Sequence, residues 1–182
     1  MKNTLFAFVT VMLASTAAHA DFQSFMQQPE QPYVGIDYQY SEIDTSPSVK
    51  LGSILVRAGT DLAKYIGVEA QASYGVTDDK FTVTFSDGST ARYEVKNRGS
   101  YGLYLRPNLP LNDQFTVYAL LGANYADIQV KGPGISENSY GTSFAAGVGA
   151  TVMFNQNFGL GAEFMQYDSD IYAGNVGVRY KF

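Results

Sequence analysis

Six charged residues stand singly among apolar or glycine-rich neighbours: Asp37, Arg57, Glu69, Arg106, Glu163 and Arg179. Carboxylates and guanidiniums in such settings can act as acids, bases or electrostatic stabilisers, or they can neutralise one another. Acid–base catalysis near neutral pH most often uses histidine, and a hydrolytic serine needs such a base beside it. The only histidine is His19, in a segment expected to be removed from the mature chain. Asp168 and Asp170 are close enough to suggest a carboxylate pair, but they lie in a short polar loop, where paired acids are ordinarily solvated. Cysteine is absent, so the usual zinc ligands are missing. No EF-hand or glycine-rich phosphate loop is found. The sequence therefore predicts no catalytic residue, no metal ligand and no cofactor, and the six charges pose a question of placement.

The chain opens MKNTLFAFVTVMLASTAAHA: Lys2, an apolar run, then Ala18-His19-Ala20. This is the order of a secretory signal peptide, with residues 1–20 expected to be cleaved. The run is shorter than the roughly 20 apolar residues of a spanning helix, and every later apolar run is interrupted by glycine or charge. Residues 21–32 are read as a short periplasmic segment and 33–182 as one folded domain. The net charge of −5, more negative once Lys2 is lost, argues against nucleic acid as a partner, because such binding rests on basic contacts to phosphate. Without cysteine no disulfide supports the fold.

Alternation with period two marks strands with unlike faces. In the last segment Tyr172, Gly174, Val176, Val178, Tyr180 and Phe182 share one face, and Asn175, Gly177, Arg179 and Lys181 the other. The same pattern runs through YVGIDYQYS, GSILVRAG, GVEAQASYG, NRGSYGLYLRP, FTVYALLGANYA, TSFAAGVGATVMF and GLGAEFMQY, giving eight strands, each with one uncharged face. In NRGSYGLYLRP, Arg98 is counted with Ser100, Gly102, Tyr104 and Arg106 on the charged face.

The charged face is also the glycine-rich one. Eight strands close into a barrel whose interior side chains just fill, so glycines and charges are expected inside. The apolar face then meets lipid, where a midplane charge costs about 2–4 kcal/mol. Connections alternate short and long: TDLAKY, PNLPLND and NQN against EIDTSPSV, residues 76–96 and KGPGISEN, with the short DSD as the exception. The expected fold is all-β, an eight-stranded antiparallel up-and-down transmembrane β-barrel with both ends on the periplasmic side.

With YIGVEAQASYG, YGLYLRPNLP, FAAGVGATVMFNQNFGLGAEFMQYD and NVGVRYKF, the chain resembles the OmpA/OmpX-type eight-stranded outer-membrane barrels. The resemblance implies the outer membrane of a Gram-negative bacterium, contact with its lipid and lipopolysaccharide, and insertion by the barrel-assembly machinery. Asn175, Gly177, Tyr180 and Phe182 look like the terminal signal that this machinery reads. Some barrels of this size modify lipid A with a histidine and a serine, a reading that a mature chain lacking histidine does not support.

Two roles stay open for the inner charges. Arg57 and Glu69 fall opposite each other if the hairpin is symmetric about Ala63, and Asp37 and Glu163 have Arg179, Arg106 or Lys181 within reach across the barrel. Such pairs form either a structural plug or a narrow ion path. A further candidate is the segment from Lys80 to Val95, with Phe81, Val83 and Phe85 before the Asp87-Gly88 turn signal and Tyr93 after it. It reads as a hairpin raised above the membrane, either an ordered loop or a surface for an unknown ligand in adhesion or in host or phage contact.

Overall fold

The structure, a computed structural model, describes residues 31–44, 48–84, 89–133 and 135–182. The expected signal peptide, residues 21–30 and the turn residues Phe85, Asp87 and Gly88 lie outside the described residues.

The chain forms strands β1 (Gln31–Ile43), β2 (Val49–Ala63), β3 (Ile66–Thr77), β4 (Asp79–Thr84), β5 (Thr90–Pro110), β6 (Phe115–Gly132), β7 (Ile135–Met153), β8 (Phe158–Tyr167) and β9 (Ile171–Lys181). Each pairs antiparallel with its neighbours, and β1 pairs with β9 from Tyr33↔Lys181 to Ile43↔Ile171, closing the ring. β3 and β4 both pair with β5, on successive stretches of it, and only Asp78 separates them. The nine strands thus trace the eight expected staves, the third broken at Asp78. β1 begins at Gln31, where Gln31 and Pro32 already pair with Asp61 and Thr60.

Alternation decides the two surfaces. On β1, Asp37 is 2% exposed while Ile36 and Tyr38 are each 50% exposed. Outward apolar side chains recur on every stave, among them Val56, Leu103, Val148, Phe164 and Val178. Such a band is stable only against hydrocarbon, and a closed ring is the one sheet that leaves no unpaired backbone edge there. Inside, glycine makes room for large neighbours. A side chain at Gly149 would begin 2.6 Å from the Tyr118 ring, which crosses beneath it.

Two registers differ from the expected ones. The β2–β3 turn centres on Lys64 and Tyr65, with a shift between Asp61 and Ala63, so Arg57 lies opposite Gln71 and Glu69 opposite Gly59. On β5, Asn97 pairs with Ile128 and Gly99 with Asp127, which leaves Arg98 as the extra residue of a bulge. A bulge reverses which residues face in. Arg98 is therefore turned outward and exposed, opposite to its expected place, and above it Ala91 and Val95 are buried.

The outer rim is oblique. β8 and β9 have 10 and 11 residues and meet at a three-residue turn where Asp168 takes a positive φ of 60°. β5, β6 and β7 have 21, 18 and 19 residues. β7 joins β8 from Ala145 onward and the Phe144 carbonyl accepts from Asp168 N at 3.2 Å, so among the described residues Ile135 to Ser143 pair with β6 alone. The ten residues above Ala145, at about 3.3 Å each, carry this hairpin roughly 30 Å along the strand beyond β8. β4, β5, β6 and β7 together make a raised four-stranded sheet.

Gly149→Val should lower the stability of the refolded barrel by about 1–3 kcal/mol, as overpacking does. Urea midpoints in detergent test this, and an unchanged midpoint would show that Tyr118 does not fill that space.

Candidate functional site

Arg57, near mid-height on β2, is the centre of the lumen. Its Nε donates to Asp37 Oδ2 and its Nη1 to Glu69 Oε1 and Glu163 Oε2, each at 2.7 Å. One guanidinium thus faces three carboxylates carried by β1, β3 and β8. Two further arginines restore the balance. Arg179 Nη1 donates to Asp37 Oδ1 at 2.7 Å. Arg106 lies 3.8 Å from Glu69 Oε2 and 3.4 Å from Asp61 Oδ1. Asp37, Glu69 and Glu163 against Arg57, Arg106 and Arg179 is three against three, all buried.

Neutral donors complete the carboxylates. The Tyr33 hydroxyl and Gln71 Nε2 donate to Glu69, the latter at 2.7 Å. Tyr118 donates to Glu163 Oε2 at 3.1 Å and Asn175 to Glu163 Oε1 at 2.8 Å. The Arg106 guanidinium lies 3.9 Å from the centre of the Tyr118 ring and 5.1 Å from that of Tyr33. This matters because buried ion pairs offset their desolvation only when the remaining donors and acceptors are also met.

Sequence parity puts the six charges on the inner face and offers Arg179, Arg106 or Lys181 as partners of Glu163, none of which pairs with it. The structure gives Glu163 to Arg57, and joins Arg57 to Glu69 diagonally. Tyr33, Tyr118, Gln71 and Asn108 were missed as members of the network. Their inward parity was available, but which residues meet across a barrel depends on its stagger, which no single strand reveals.

Other layers seal the lumen. Tyr104, Leu120 and Met165 are fully buried along the β5–β8 wall. Near the outer mouth Val49, Leu51 and Val95 form an apolar cap, with Ile43, Ile128 and Val130 packed against it. Among the described residues no three His, Cys, Asp or Glu groups are placed to hold a metal. The chemistry available to this arrangement is charge neutralisation.

The four terminal residues divide between the faces. Asn175 points inward, and at Gly177 a side chain would begin 2.5 Å from the Asp37 backbone. Tyr180 and Phe182 are on the lipid side, with Tyr180 edge-on to Phe158 at 4.9 Å and to Phe182 at 5.1 Å. Phe182 N donates to the Pro32 carbonyl at 3.1 Å. In the raised hairpin the backbones of Phe81 and Val83 pair with Tyr93 and Ala91.

Arg57→Met should destabilise the barrel by about 3–5 kcal/mol, because three carboxylates lose their shared partner. Adding Glu69→Gln should recover part of the loss. Additive effects in urea titration would remove the coupling. Phe182→Ser should lower the outer-membrane level of the protein well below that of Leu111→Ser, a change in an exposed turn. Equal levels for the two in fractionated cells would exclude Phe182 from the assembly signal.

Solved structures share this architecture. Ail of Yersinia pestis aligns at 20% identity and TM-score 0.55, over 84% of this chain and 97% of its own. Neisserial surface protein A aligns at 18% and 0.54, over 85% and 100%. The N-terminal β-barrel domain of Pseudomonas aeruginosa OprF aligns at 14% and 0.54, also over 85% and 100%. No curated protein sequence matches the chain. The family described as outer membrane protein beta-barrel domain matches residues 5–182. A closed ring with a lipid-facing apolar band, and a family match over nearly the whole sequence, agree: the chain belongs to the outer membrane protein beta-barrel domain family and resides in the outer membrane of a Gram-negative cell.

Proposed function

We propose that this protein is a non-enzymatic envelope barrel whose filled body carries a surface-binding sheet. The observation that carries the reading is the outer edge of β7 from Ile135 to Ser143, which is paired with no strand among the described residues; just below it the Phe144 carbonyl accepts from Asp168 N at 3.2 Å. Natural edges are blunted by lysine, proline or bulges. The sequence ISENSYGTSF has none of the first two, and Glu137 is its only charge. Such an edge suits strand addition, in which a partner's extended segment continues the ladder. Tyr140 and Phe144, at 68% and 60% exposure, offer side chains for specificity.

The hairpin from Lys80 to Val95 takes part differently from the sequence expectation. β5 is covered by β4 on one side and β6 on the other, so it braces the sheet. The free edge of β4 is six residues long and carries Asp79 and Lys80. The longer, less protected edge of β7 is the better docking strand. Ail is named as an attachment invasion locus protein. That name describes Ail, and for this chain attachment rests on the β7 edge alone. The buried ion pairs that join Arg57, Arg106 and Arg179 to carboxylates across the lumen support a structural body in preference to an ion path. The surrounding lipopolysaccharide and the assembly machinery are its proposed partners within the envelope.

Asn138→Pro with Tyr140→Lys should abolish whole-cell binding to matrix proteins, serum proteins or phage, while heat-modifiable migration and outer-membrane level stay unchanged. If wild-type cells bind one of these and the variant binds it equally, the β7 edge is not the docking strand.

A further inference from the structure

The ladder that β7 leaves open above β8 has two ends of different charge. Because the Phe144 carbonyl points toward β8, where it meets Asp168 N, alternation turns the N–H and C=O groups of Thr142, Tyr140 and Asn138 toward the same free side. Ser136 to Thr142 are exposed at every position, odd and even alike. Glu137 lies opposite Val130, which packs on the apolar cap, so Glu137 and Ser139 face the barrel mouth while Asn138 and Tyr140 face away from it. A strand added here has open space on both of its faces, which leaves charge at the two ends to select it.

The foot of this edge is acidic. The β8–β9 turn beneath it is Asp168-Ser169-Asp170, exposed throughout, and the Asp170 carbonyl accepts from Asp44 N at 2.8 Å, which brings the exposed Asp44 alongside. Asp44, Asp168 and Asp170 enter no ion pair among the described residues. Glu42, next on the rim, stands opposite Lys50. At the head of the edge the one nearby cation among the described residues is Lys131 of β6, opposite Ser136, with Glu137 on the other face. Three uncompensated carboxylates at the foot thus stand against a balanced head.

The β4 edge lacks this polarity. Its acids are already matched, Lys96 to Asp78 and Glu94 and Lys80 to Glu94, at distances between 2.6 and 3.4 Å. Arg92 stands beside them, opposite Thr82. Direction follows from β8, which rises antiparallel to β7 as far as Tyr167. A segment that takes up this line above the turn, in the same antiparallel sense, has its N-terminal end at the foot and its C-terminal end near Ser136. A Lys, an Arg or a free α-amino group at its start then lies over Asp168 and Asp170, and an acidic end reaches toward Lys131.

We propose that the β7 edge takes an extended cationic peptide segment, added antiparallel, with its basic residues at the N-terminal end above Asp44, Asp168 and Asp170. This assignment rests on the β7 edge being the docking strand and names what docks there. Backbone bonds along the ladder hold a segment of almost any sequence. The carboxylates select its charge and its direction, by attraction that reaches about 8 Å at physiological salt. Exposed charge of this kind steers approach and fixes register more than it adds affinity. The preference therefore fades with salt while the ladder contacts persist.

The test uses the full mature chain in phosphatidylcholine nanodiscs and labelled ten-residue peptides of threonine and valine, with binding read by fluorescence anisotropy. One peptide carries two lysines at its N-terminal end, one carries them at its C-terminal end, and one carries two glutamates at its N-terminal end. Wild type should bind the first about tenfold more tightly than the others at low salt, a preference that shrinks at about 0.5 M salt. Asp44→Asn, Asp168→Asn and Asp170→Asn together should remove the preference and keep heat-modifiable migration, since asparagine tolerates the positive φ of residue 168. Asn138→Pro with Thr142→Pro, which removes two N–H groups from the free side only, should abolish binding of all three peptides. If it does so while the carboxylate variant keeps the preference, or if wild type binds the three alike, the cationic partner is wrong and the docking edge stands. If the proline variant binds as wild type does, the edge itself fails and the proposal with it. Failure of wild type to bind any of the peptides would also overturn the proposal.

Discussion

Closure between β1 and β9 is the constraint from which the rest follows. In hydrocarbon an unpaired backbone N–H or C=O costs several kcal/mol, so the ladder from Tyr33↔Lys181 to Ile43↔Ile171 has to be complete across the membrane. Eight staves so joined enclose a space that side chains must fill. That is why inner positions combine glycine with Tyr104, Tyr118 and Met165. It is also why charges inside have to neutralise one another: there is no room for the water that would otherwise solvate them. Arg57, bonded to carboxylates from three different staves, ties the ring across its diameter as well as around its circumference.

The membrane part of this arrangement is legible in the sequence because lipid enforces it. Ile36, Tyr38, Val56 and Val178 had to be apolar and Asp37 and Arg179 had to be inside, so a period of two reads directly as in and out. The partner of each inner charge is less legible, since it depends on how far neighbouring staves are staggered. The pair Arg57–Glu69 was found, but the register puts Gln71 opposite Arg57, and the bond runs diagonally.

Above the membrane legibility falls further. Water on both sides removes the need for an apolar face, and ISENSYG reads as loop although it is paired strand against ADIQVKG. The bulge at Arg98 is silent for a related reason: NRGSY alternates plausibly in either phase, and only the pairing of Asn97 and Gly99 with Ile128 and Asp127 shows that one residue is extra. One inserted residue reassigns a whole strand segment, turning charge out and putting Ala91 and Val95 in.

The touching ends of the ring have a consequence for how its stability relates to its biogenesis. Phe182 N and the Pro32 carbonyl are already hydrogen-bonded, so the closed sheet has no intrinsic starting stave. A circular permutant joining these ends and opened at the turn of residues 168–170 would hold every ladder described here, yet its last strand would be β8, ending at the outer rim, and Tyr180 and Phe182 would lie inside the chain. The thermodynamics of the ring belongs to the cyclic order of its staves. The assembly signal proposed at Tyr180 and Phe182 would belong to the linear order of the gene, and permutation would separate the two.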